Sequence, residues 1–220
     1  MKQITFINYL QSPSNIHQAK FDWKYFLLFV IAYFFLVMPM GAIIGLLSKV
    51  FNITNSLKQM ELNFFKVVVI APLLEESLFR LLLRPKLKNL ITYSIISIVF
   101  ISYLFCTEKD VIAFVLLGIQ LLVLILLYKR EEYLRKFYRV YLRRFTYFFY
   151  FSVIMFGMVH LTNFKYPELS IWIVLFSPLL VLPQLFMGSM LGFIRMRWGF
   201  IYCILFHATI NGIAYTLSAI

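Results

Sequence analysis

Two adjacent carboxylates and a guanidinium stand in the stretch Pro72-Leu73-Leu74-Glu75-Glu76-Ser77-Leu78-Phe79-Arg80, inside a run that is otherwise almost wholly apolar from Phe64 to Leu83. A charged group at the bilayer centre costs about 2.5–3.5 kcal/mol on insertion scales, so it faces the protein interior and marks a functional candidate. Helical spacing separates the two glutamates. Glu76 and Arg80 are four apart and pair along one face, whereas Glu75 lies about 100° round the helix without that partner. Pro72, one turn earlier, removes a backbone hydrogen bond and crowds the carbonyl of Val68, which opens backbone toward a polar cavity. One carboxylate tied down beside one left free is the arrangement a general base needs.

More polar groups recur at helical spacing in other apolar runs. Phe156 and His160 are four apart, with Asn163 beyond them, and His207 and Asn211 are four apart and project on one face. Each has a plain reading. A lone intramembrane histidine is more often a hydrogen-bonding strut than a catalyst, Asn211 alone is helix glue, and a Glu–Arg pair can lock two helices. Taken jointly, adjacent glutamates and two histidines with helical companions point to one pocket built by Glu75, His160, His207 and Asn211 from different helices.

The elements that must position them are membrane helices. The composition is 62% apolar, 19% aromatic and only 14% charged, and uncharged runs long enough to cross a hydrocarbon core of about 30 Å recur. The expected fold class is all-α: a polytopic helical bundle of about seven transmembrane helices plus one interfacial amphipathic helix. Residues 1–24 read as a polar lead-in and 25–220 as a single transmembrane domain, its first helix serving as the signal. The spans run about Tyr25 to Leu47, Phe64 to Leu83, Leu90 to Cys106, Val111 to Tyr128, Phe145 to Leu161, Leu169 to Leu191, and Trp198 to the C-terminus. Pro178 and Pro183 bend the sixth. Between the fourth and fifth, Lys129 to Arg144 repeats Tyr133, Phe137 and Tyr141 every four residues and reads as a basic helix on an anionic lipid surface. The cysteines, Cys106 and Cys203, read as small hydrophobes and not a disulfide pair.

The net charge of +12 follows membrane orientation. With the N-terminus inside, every basic cluster falls on the inner side, as the positive-inside rule requires, so the charge gives no nucleic-acid surface. The expectation is an integral protein of a bacterial plasma membrane with a cytoplasmic N-terminus. No inverted repeat of the transporter kind is present.

The motifs Glu75-Glu76-x-x-x-Arg80, Phe156-x-x-x-His160 and His207-x-x-x-Asn211 together resemble the signature of the type II CAAX prenyl endopeptidase (Abi, or CPBP) family of intramembrane proteases, over roughly Pro72 to Gly212. Many members carry glycine after the arginine, where this chain has Leu81. The resemblance implies hydrolysis of a peptide bond in a membrane-associated peptide or protein, with CAAX-type ends as the eponymous substrates. The residues supply a mechanism: Glu75 takes a proton from a water held with His160, while His207 and Asn211 donate to the oxyanion and Glu76 and Arg80 hold the helix and its field. Alternatively, Glu75, His160 and His207 bind a zinc ion. No cofactor beyond such a divalent metal is called for, and the metal itself stays open. The rival readings are a non-catalytic scaffold or bacteriocin-immunity-type protein of the same fold, and a proton-coupled transporter. Helical rise poses a test: these boundaries put Glu75 near mid-depth and His160 near the outer end of its span, so they meet only if span five is tilted or begins deeper.

Overall fold

Aspartate 22 starts the longest helix: its side chain accepts from the backbone N–H groups of Lys24 and Tyr25 at 2.9 and 3.5 Å, an N-cap arrangement. The computed structural model describes residues 5–56, 63–108, 131–168 and 170–218. In chain order the helices are α1 (Phe6–Gln11), α2 (Trp23–Val50), α3 (Ala71–Phe79), α4 (Leu87–Glu108), α5 (Glu131–Arg143), α6 (Phe145–Val159), α7 (Ile171–Leu180), α8 (Leu182–Arg197) and α9 (Phe200–Ser218). A π-helical turn, Lys66–Ile70, leads into α3, and short 3₁₀ turns follow it (Leu81–Leu83) and α6 (His160–Asn163). Two short strands, β1 (Thr54–Asn55) and β2 (Phe164–Lys165), pair antiparallel.

Among the described residues three helices are long and apolar enough to cross a membrane: Trp23–Val50, Phe145–Asn163 and Phe200–Leu217. Helices α7 and α8 make a fourth if their 42° bend belongs to one broken span. The all-helical membrane bundle is thus present, but the expected seven spans are met only in part. The third is a helix of 22 residues whose apolar part is shorter, Leu87–Tyr103, and the fourth, Val111 to Tyr128, lies outside the described residues.

Two boundaries move for identifiable reasons. Span two is not continuous, because Pro72 forces the π-helical turn before α3 and the helix ends at Arg80. Span six bends where expected, with Pro178 inside α7 and Pro183 in the first turn of α8. It does not stop at Leu191, however. Helix α8 continues to Arg197 because Arg195 is buried and its Nε donates to the carbonyl of Arg80 at 3.1 Å, so the charge is spent inside the protein and not in a loop.

The core sits where α6 and α8 cross. Glycine permits this: a Cβ on Gly192 would lie 2.6 Å from Phe149 Cε2, and one on Gly188 would lie 3.1 Å from Arg80 Nη2 and 3.2 Å from Phe156 Cδ1. Gly188 and Gly192 form a small-residue spacing of the kind that lets membrane helices approach closely. Around the crossing, Phe149, Phe193, Ile194 and Phe206 are fully buried. Outward-facing Phe35, Met38 and Tyr147 remain exposed, as lipid-facing positions are.

From Thr5 onward the lead-in is packed against the bundle. Tyr9 of α1 is buried against Phe149 and Phe193. The following strap is pinned by Arg84 Nη2, which donates to the carbonyls of Ile16 at 2.7 Å and Met196 at 2.8 Å, and by Ala19 N–H on the Arg197 carbonyl at 2.8 Å. Arg84, read from the sequence as part of a basic turn, is therefore a tie between the strap and α8.

Candidate active site

Helix α3 carries the glutamates on a piece of chain broken at both ends, and each break leaves backbone groups to satisfy at membrane depth. At the start, Ala71 N–H donates to the Lys66 carbonyl, five residues back. In that register the next donor would be Pro72, which has no N–H, and its missing partner is the Val67 carbonyl. Asn211 of α9 fills the gap: its Nδ2 donates to Val67 O at 3.0 Å. At the other end, Ser152 Oγ of α6 donates to Phe79 O at 2.5 Å, and Arg195 Nε of α8 takes Arg80 O. Side chains from three helices thus hold α3 in place.

Glu76 is wholly buried and fully engaged. Its Oε1 lies 2.8 Å from His207 Nδ1, and its Oε2 accepts from Cys203 Sγ at 2.7 Å and lies 3.6 Å from Arg80 Nε. The Arg80 guanidinium, also buried, stands 3.8 Å over the Phe156 ring, a cation–π contact of a desolvated kind. Phe156 further touches the rings of His160 and His207 at 4.9 and 5.9 Å between centroids. The residue read as the companion of His160 is therefore the hub between the arginine and both histidines.

Glu75 points the other way. Its Oε2 lies 3.8 Å from His160 Nε2 and 3.8 Å from His207 Nε2, and it is buried with no hydrogen-bond partner among the described residues. The side chains of Glu75 and His160 are 28% and 19% exposed, against 3% for His207, so the group is reached from the Glu75–His160 side. The depth conflict is removed because α3 is a nine-residue piece of a broken element, not the middle of a straight span.

Hydrogen bonding fixes how the imidazoles present themselves. His160 Nδ1 lies 2.7 Å from the Phe156 carbonyl, which can only accept, so Nδ1 carries the hydrogen there. His207 Nδ1 faces the Glu76 carboxylate in the same way. Both Nε2 atoms are left turned toward Glu75, at separations too long for a direct hydrogen bond. The tautomers follow from partners and not from observed hydrogens.

Two imidazoles and a carboxylate are also zinc donor types, and Glu76 on His207 Nδ1 resembles the orienting partner a liganding histidine carries. The spacing differs, since tetrahedral ligands at 2.0–2.1 Å from a zinc ion stand about 3.3 Å apart. No group of three or more His, Cys, Asp or Glu side chains among the described residues is placed to hold a metal ion. The two Glu75–imidazole separations of 3.8 Å are about 0.5 Å wider than that zinc-ligand spacing.

Of the six residues singled out in the sequence, Glu75, Glu76, Arg80, His160 and His207 lie in one contiguous cluster. Asn211 is brought instead to the backbone of the turn before α3. Cys203 was missed. Read as a small hydrophobe, it is a free thiol on Glu76, and its spacing of four from His207 was the available signal. Ser152 and Arg195 gave no comparable sign, because backbone carbonyls orphaned on another helix leave no mark on their own sequence.

Residues 131–213 match the family model described as Type II CAAX prenyl endopeptidase Rce1-like. The match and the motif resemblance name the same family. It covers α5 through most of α9, including His160, His207 and Asn211, while Glu75, Glu76 and Arg80 lie outside it. Neither the curated proteins nor the solved structures include a match to this chain.

Proposed function

We propose that the chain is an intramembrane endopeptidase that hydrolyses a peptide bond with a water activated by Glu75. The observation that carries this is the buried, unpartnered Glu75 Oε2 facing two imidazole nitrogens at 3.8 Å each. A water between them gives a proton to Glu75 as its oxygen attacks the scissile carbonyl carbon. His207, backed by Glu76, receives the oxyanion as a donor when both of its nitrogens carry hydrogen. Collapse of the tetrahedral intermediate breaks the C–N bond, and the proton held by Glu75 passes to the leaving amine. Glu76, Arg80 and Phe156 hold His207 and α3 in register. Asn211 braces the Val67 carbonyl through one N–H, and its amide has a second N–H to offer the oxyanion.

The substrate is a membrane-associated peptide or protein segment, of CAAX type by family. The chain sits in a bacterial plasma membrane with its N-terminus in the cytoplasm, an orientation supported by the basic clusters. The test is cleavage by detergent-purified protein of fluorogenic peptides ending in Cys-aliphatic-aliphatic-X, with and without a lipid on the cysteine. Cleavage with release of the terminal tripeptide is expected. Failure of the wild-type protein to cleave any member of a broad peptide library would favour the scaffold or immunity-type reading.

A further inference from the structure

Helix α5 roofs two adjoining cavities that the hydrolytic cluster does not use. The larger, about 910 Å³, lies between α3, α4 and α6 and is lined almost wholly by apolar and aromatic side chains, including Leu82, Tyr93, Tyr141, Phe148 and Phe151. The smaller, about 470 Å³, lies under α5 and includes Leu90, Leu134, Arg135 and Arg139. Pro85 and Phe137 border both, so the two cavities adjoin. Volumes of this size are those of ligand sites, roughly 300–1,000 Å³.

Shape and charge agree on one kind of occupant. Arg135 and Arg139 are four apart, on one face of α5, and both are exposed. Along α6 the larger cavity runs from Thr146 to Met155, a depth of about 14 Å at the helical rise. That is close to half of a hydrocarbon core of roughly 30 Å, the reach of one leaflet. Two exposed arginines that line the smaller cavity, beside an apolar slot one leaflet deep, complement a phosphate joined to an acyl chain. We propose that this groove binds an anionic phospholipid of the bilayer, with its phosphate on Arg135 and Arg139 and an acyl chain in the aromatic cavity. The inner wall includes Phe79, which packs edge-on against Phe156 at 5.6 Å, so the chain lies behind the ring that supports Arg80 and the histidines.

The probe is dioleoylphosphatidylglycerol against dioleoylphosphatidylcholine, added to delipidated full-length protein in mild detergent and read by native mass spectrometry and melting temperature. Phosphatidylglycerol is expected to stay bound and to raise the melting temperature, while phosphatidylcholine does neither. The double variant Arg135→Gln/Arg139→Gln should weaken phosphatidylglycerol binding about thirtyfold, the scale of two basic residues near an anionic headgroup. Lys136→Gln/Arg143→Gln removes the same charge from exposed positions outside both cavities and should leave binding unchanged. Leu82→Trp, which fills the slot, should abolish retention of the lipid with both arginines intact. Equal retention of the two lipids, or equal losses in the two arginine and lysine double variants, would overturn the proposal, as would undiminished binding in Leu82→Trp.

Discussion

The contact between Asn211 and the Val67 carbonyl makes a quantitative prediction, because the need for it originates in a different residue, Pro72. Replacing Asn211 with leucine, close to it in size, leaves a carbonyl at membrane depth without its donor. An unsatisfied buried polar group costs about 1–3 kcal/mol, and side-chain hydrogen bonds between membrane helices measure up to about 1.7 kcal/mol. A loss of about 1–2 kcal/mol is therefore expected, which for a chain of this length lowers the melting temperature by roughly 2–8 °C. In a Pro72→Ala background the new N–H at position 72 faces Val67 O in the π register, so the same substitution should then cost close to nothing. The coupling energy of the double-mutant cycle should thus equal most of the single loss. Melting curves of the four proteins in one detergent measure it. An Asn211→Leu penalty of the same size with proline or alanine at position 72 would refute the reasoning. Activity divides the duties of the amide: the double variant should be as stable as Pro72→Ala yet remain slow, because the donor to the oxyanion is still missing.

Glu76→Gln should cost about 3–5 kcal/mol, since it leaves the buried Arg80 uncompensated and removes the charge facing His207 and Cys203; the melting temperature in detergent reports it. Gly192→Ala should destabilise by about 1–3 kcal/mol through overpacking against Phe149. Gly41→Ala, with nothing within 4 Å of the new methyl, should be neutral or stabilising by up to about 1 kcal/mol. In intact cells, with the native cysteines replaced, an impermeant thiol reagent should label Glu108→Cys and not Arg139→Cys; the reverse pattern would contradict the N-terminus-inside orientation.

Residues that act along their own helix were legible from spacing alone. The Glu76–Arg80 pair, the Phe156–His160 contact and the separate character of Glu75 all follow from which positions share a helical face. The basic amphipathic helix was legible for the same reason, and α5 occupies Glu131–Arg143. What stayed hidden depends on partners contributed by other helices. Pro72 announces a disturbed helix, but the turn's π register and the relief of Val67 by Asn211 require α9 to be in place. Arg195 and Arg84 read as loop charges because a sequence window sees their cost and not the carbonyls of Arg80, Ile16 and Met196 that accept from them. The burial of α1 and the strap was likewise invisible, since it rests on contacts with α6 and α8.

The central claim is that Glu75 is the base and Glu76 its buried support. The most direct measurement compares Glu75→Gln with wild-type protein, purified in detergent, for melting temperature and for cleavage of the best peptide substrate. Glu75 Oε2 has no hydrogen-bond partner to lose among the described residues, so the variant should melt close to the wild type, while its cleavage rate falls by about 10²–10⁴-fold, the contribution of a positioned general base. Full activity in Glu75→Gln, together with abolished activity at unchanged stability in Glu76→Gln, would contradict the assignment and exchange the roles of the two carboxylates.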